Sequence, residues 1–135
     1  MVYAFTIPGV LPDYNNALDK AKGDQRGIQY RTWKRKTDEA IAWEAKRQLR
    51  GVRGLCGFSV VIRWYKPDNQ KDHDNISHAT KYILDGLQDA GTIQNDGPKQ
   101  VWDIVHNFFV DQANPRTEVF LIVGQRLILD IEKFI

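Results

Sequence analysis

Asp72 and Asp74 stand two residues apart in Asp72-His73-Asp74-Asn75, so in an extended segment both carboxylates leave the same face of the backbone. Carboxylates that close repel one another, and either one takes up a proton or a cation keeps both charged. Oxygen-only donors suit magnesium or manganese rather than zinc. Zinc would require a compact set of His and Cys, and the chain has one cysteine and three scattered histidines.

A helix is expected to position these groups. Ile76, Thr80, Ile83, Leu84 and Leu87 recur at helical spacing up to Gly91, which predicts one helix from about Asn75 to Ala90. At about 100° per residue, Lys81 and Asp85 return to nearly the azimuth of Asp74. Asp74, His78, Lys81 and Asp85 then form a polar stripe opposite the apolar one. The free N–H groups and the positive dipole end of the helix start favour anions such as phosphate beside Asp74. The same residues also fit an ordinary arrangement, with Asp74 or Asn75 as an N-cap and Lys81 and Asp85 as a surface i,i+4 pair.

The order and spacing of the wider segment carry more. Asp72-His73-Asp74-Asn75, Lys81-Tyr82-Ile83-Leu84-Asp85-Gly86-Leu87 and Asp89-Ala90-Gly91-Thr92-Ile93-Gln94-Asn95-Asp96, closed by Val101, resemble the RusA family of Holliday-junction resolvases. That family reads D-x-D-N, a lysine, D-[AG]-L, a short A-G turn, and D-D or N-D before a valine or isoleucine. Pro12 and Asn15 resemble its P-x-x-N opening. The resemblance covers most of the chain, and residues 1–135 are expected to form one RusA-like domain.

The resemblance implies a magnesium-dependent endodeoxyribonuclease, with manganese as a possible substitute, that resolves four-way junctions or related branched DNA in recombination and repair. Asp72, Asp74 and Asp96 look like the metal ligands, with Asp96 brought in by the turn after the helix. Lys81 looks like the catalytic lysine, stabilising charge on the pentacoordinate phosphorus. Some members place that lysine nearer the D-x-D-N motif, where His78 stands, so His78 is its rival. Asn15 and Lys71 are expected on the DNA. The family is dimeric, and a two-fold symmetric junction calls for a homodimer. One departure is Asn95, where many members carry Asp. It favours an alternative reading: a non-catalytic DNA-binding relative of the same fold.

Charge is distributed unevenly along a chain whose net charge is only +2. Lys20 to Arg53 carries eleven basic residues against four acidic ones, whereas Pro67 to Asp103 carries seven acidic residues against three lysines. A basic half can grip phosphates beside an acidic centre that binds metal, and Lys34, Arg35 and Lys36 are the expected DNA contacts. Tyr30, Trp33 and Trp43 interleave with these charges and suit either base stacking or helix packing.

Six elements follow from periodicity: strands over Val2–Ile7, Phe58–Tyr65, Val101–Val110 and Thr117–Val123, and helices over Tyr30–Arg50 and Asn75–Ala90. The stretch from Pro8 to about Gly27 reads as a loop. This β-α-β-α-β-β order predicts an α+β domain, one mixed sheet with helices packed on it. Cys56 is expected in the core. His73 should face DNA or solvent, and His106 lies in a strand pattern. There is no run of eighteen apolar residues, and Met1–Pro12 lacks signal-peptide features, which predicts a cytoplasmic protein with no membrane partner. The apolar tail from Leu127 either covers the sheet or joins a second subunit.

Overall fold

The computed structural model describes residues 1–22 and 27–135, and part of the expected Pro8–Gly27 loop therefore lies outside the described residues. Strand β1 (Val2–Pro8) leads to helices α1 (Tyr14–Ala21) and α2 (Ile28–Gln48), then to β2 (Phe58–Lys66). Two helices, α3 (His73–Ser77) and α4 (Thr80–Asp89), precede β3 (Val101–Val110), β4 (Arg116–Val123) and a 3-10 turn at Ile131–Phe134. The sheet order is β1-β4-β2-β3; β2 and β3 run parallel and the other pairs antiparallel. The fold is thus α+β with one mixed sheet, as the order of elements predicts.

The parallel pair is what creates the address of the site. A parallel connection must cross from the end of one strand to the start of the next, and here residues 67–100 do so, carrying α3 and α4. Phe58, Val60, Ile62 and Trp64 alternate onto one sheet face and are nearly fully buried with Val119, Leu121, Phe5 and Ile7. Against them pack Ile41, Ala42, Ala45 and Leu49 of the α2 segment and Tyr82, Ile83 and Leu87 of α4. At the crossing of the two helices Gly86 is required: a Cβ there would lie 2.7 Å from Ile41 Cγ2 and 3.0 Å from the Asp38 carbonyl oxygen.

Four expectations change. The stretch after Pro8 is not all loop, because Asp13 and Asn16 form a reciprocal cap that starts α1. Asp13 Oδ1 accepts the Asn16 N–H at 2.9 Å, and Asn16 Oδ1 accepts the Asp13 N–H at 3.0 Å. The single helix expected over Asn75–Ala90 is two. Thr80 Oγ1 donates to the Ser77 carbonyl at 2.6 Å, and Ala79 and Lys81 make three-residue bonds to Ile76 and His78, so the ladder is interrupted between residues 77 and 80. Cys56 is exposed rather than packed, because the strand begins only at Phe58. The tail does not cover the sheet. It is tied down as far as Leu127 by bonds to Ser59 and Asp103, and beyond it Ile128, Leu129, Phe134 and Ile135 are exposed.

Candidate active site

Asp72 and Asp74 sit where β2 and its turn hand the chain to α3, with Asp72 at the N-cap position and Asp74 in the first turn. Both are exposed, and together with Tyr14, Asn15, Asn75, Ser77 and His78 they line an open polar recess of about 470 Å³. The second wall comes from α1, whose Asn15 N–H donates to Asn75 Oδ1 at 3.2 Å. The helix that the sequence hides is therefore half of the recess. Its signal was the Asp13-x-x-Asn16 spacing.

Three contacts fix these walls. Asp13 is 3% exposed and binds Lys71 as well as its cap N–H. Burial opposes its charge, but the Lys71 and Asn16 bonds outweigh that cost and hold its carboxyl below the usual range. His78 packs edge-on to Tyr14, with ring centroids 5.0 Å apart, and to Tyr82 at 5.7 Å. His73 is exposed, as expected, and its ring also stacks on Phe108 at 3.9 Å with an interplanar angle of 6°. Phe108 in turn stacks with Trp64 and His106, and Trp64 Nε1 donates to His106 Nδ1 at 3.0 Å. An aromatic column thus runs from the sheet to the residue between the two aspartates.

The break between the helices cuts the expected polar stripe. Asp74 and His78 stay with the recess, whereas Lys81 and Asp85 belong to α4, where they lie 3.9 Å apart. Of the two rivals for the cationic role, His78 lines the recess and Lys81 does not. Asp96 is exposed in the turn after α4, its N–H bound by Asn95 Oδ1 at 2.7 Å. The segment is not extended as expected, since Asp74 lies in the first turn of α3. Asp72 and Asp74 both line the recess, and among the described residues no three His, Cys, Asp or Glu side chains converge as metal ligands, so Asp96 does not join them.

No protein-family model and no curated protein matches this chain.

The expected DNA contacts divide. Lys34 is not presented to solvent as a phosphate grip, because its ammonium bridges Asp38 at 2.6 Å and Asp85 at 2.7 Å between α2 and α4. Burial works against its charge, but the two carboxylates more than offset it and hold its pKa above the ordinary value. Arg35 and Lys36 are exposed, with Arg35 Nε 3.7 Å from Glu39. Lys71 is half exposed while bound to Asp13, and Asn15 is exposed at the recess.

Asp72, Asp74, the Asn75 amide and the Ser77 hydroxyl supply hard oxygen donors. That set suits magnesium, which usually takes one or two carboxylates and completes its shell with water and substrate phosphate oxygens. No described helix is long and apolar enough to cross a membrane.

Proposed function

We propose that this chain is a metal-dependent endodeoxyribonuclease acting on branched DNA as a homodimer, in recombination and repair in the cytoplasm. The observation that carries the reading is the pairing of Asp72 and Asp74 on one open recess at the end of β2. The RusA-like order of motifs supports it. Asp72 and Asp74 would hold magnesium, which when bound polarises a phosphoryl oxygen and acidifies a water. Around it, Asn15 and His78 can donate hydrogen bonds to a phosphate, and the α1 wall holds Asn75 in place through the Asn15 N–H. Arg35 and Lys36 on α2 supply exposed positive charge for the backbone. The exposed apolar tail beyond Leu127 favours association with a second copy.

A second reading is favoured by one observation: Asp96 stands apart from the pair. On that reading the chain binds junctions and does not cut them.

A nicking assay on a synthetic four-way junction with magnesium separates the two. Asp74→Asn is expected to lower cutting at least about 100-fold while junction binding stays equal or tightens, since a repulsive carboxylate is gone. Equal cutting by the variant overturns the assignment, and no cutting by the unaltered chain, with binding retained, selects the second reading.

A further inference from the structure

We infer that the cavity behind the recess receives a single unpaired nucleotide, its base against an apolar wall and its phosphate on Lys66. The inference rests on the nucleic-acid reading and deepens it, by naming a second contact of the same strand.

The cavity holds about 120 Å³, and its apolar lining is Val10, Leu11, Trp64, Tyr65, Pro67 and Ile76. An apolar cavity of about 150 Å³ takes a benzene-sized ring, so this smaller one suits at most a single six-membered ring, as in a pyrimidine base, and not a purine or a chain segment. Ile76 and Lys71 line it and also belong to the segment that carries Asp72 and Asp74, which places the cavity one side chain away from the recess.

Its polar lining is mixed, with Asp13 and Asp68 beside Lys66, Lys71 and Arg116, and its cations are unevenly committed. Arg116 is engaged, bound to Asp111 at 2.8 Å and Glu118 at 3.1 Å and stacked 3.8 Å from the Tyr65 ring centroid. Lys71 is bound to Asp13. Lys66 differs from both. It is 7% exposed, makes no ion pair among the described residues, and bonds only to Asn69 Oδ1 at 3.3 Å, with its ammonium 5.8 Å from the Phe108 ring centroid. A buried ammonium has three donors, and one long bond to a neutral amide leaves most of its hydration unreplaced. An anion entering the cavity would complete that shell, and the apolar wall selects an anion that carries a ring. Branched DNA supplies such a group wherever a strand is single-stranded or a base has lost its partner, at little unstacking cost.

Nucleotide binding is read without metal or cleavage, from the Trp64 indole N–H resonance assigned with Trp64→Phe. Titration with deoxycytidine monophosphate is expected to shift that resonance at millimolar concentration, at least about 10-fold more tightly than inorganic phosphate or deoxycytidine alone. Lys66→Met, which keeps the aliphatic stem, should weaken the nucleotide at least about 10-fold, and Leu11→Phe should do so by filling the wall. No shift with the nucleotide overturns the proposal, as does equal binding by phosphate alone or by Lys66→Met. A chain that cuts junctions but shows no shift loses this cavity and keeps its proposed function, while one that shows the shift and neither cuts nor binds junctions loses the function.

Discussion

The seam between α2 and α4 and the rim around α3 carry the same kinds of residue, and the fold treats them oppositely. In the seam, the Lys34 ammonium lies 2.6 Å from Asp38 and 2.7 Å from Asp85, with Asp38 7% exposed. At the rim, Asp72 and Asp74 are exposed and have no cation within ion-pair distance among the described residues. Charges that are paired and buried hold helices in register. Carboxylates left exposed and unpaired at the rim are free to take a ligand, and in the proposed function that ligand is a metal ion.

The strongest way to break this contrast is to empty the seam. Removing one partner of a buried ion pair leaves an uncompensated charge and costs about 3–5 kcal/mol, less where the groups are partly exposed as Lys34 is. Lys34→Ala is therefore expected to lower stability by about 2–4 kcal/mol in urea unfolding, because Asp38 Oδ1 is already buried with no partner among the described residues. Burial, its largest influence, raises the Asp38 pKa despite Lys34, so the variant should regain part of its stability as pH falls and Asp38 protonates. A loss below about 0.5 kcal/mol would put Lys34 among ordinary surface lysines.

That seam also marks where sequence reasoning stops. The strands were legible to within a residue, since Val101–Val110 and Phe58–Lys66 alternate and are rich in β-branched and aromatic residues. Asp72 and Asp74 were legible as lining one site because they are neighbours in sequence, although α3 begins at His73 and the extended segment expected there is absent. Helix α1 was not, because its eight residues bury only Ala17 and lie in a polar stretch of Asn, Asp and Lys that reads as loop. The break before α4 was hidden too: apolar spacing continues through Ile76 and Thr80, and one hydroxyl-to-carbonyl bond interrupts the ladder. The fate of Lys34 was out of reach in principle, since its second partner is 51 residues away and only tertiary packing brings it near.

A smaller effect sharpens the comparison at the rim, through the aromatic column beneath it. Burial holds the His106 pKa below its ordinary value of 6.5, and the Trp64 indole N–H donates to Nδ1 only if that nitrogen carries no proton. With a depressed folded pKa, the unfolded chain binds a proton that the native state declines, so stability is full above about pH 7 and declines as pH falls below 6.5. Comparison of urea midpoints at about pH 7.5 and 5.5 should show this loss, and His106→Gln, which retains an acceptor for Trp64, should flatten it. An equal slope in the variant would mean that His106 does not carry the proton uptake.

The smallest expected effect concerns the exposed cations of α2, where the contrast makes a selective claim. Each phosphate contact contributes about one unit to the slope of log affinity against log salt, whatever the DNA sequence. Arg35 and Lys36 are exposed and Lys34 is tied down, so the double change Arg35→Ala/Lys36→Ala should reduce the salt slope of junction binding by about two. Its thermal midpoint should stay close to that of the unaltered chain, because a lone exposed pair such as Arg35–Glu39 at 3.7 Å contributes under about 1 kcal/mol. Lys34→Ala should do the reverse, moving the midpoint and leaving the slope of the folded fraction alone. Were the slope unaltered by the double change, the nucleic acid would have to approach from another face, and the recess would be reached past Lys71 and the α1 wall instead.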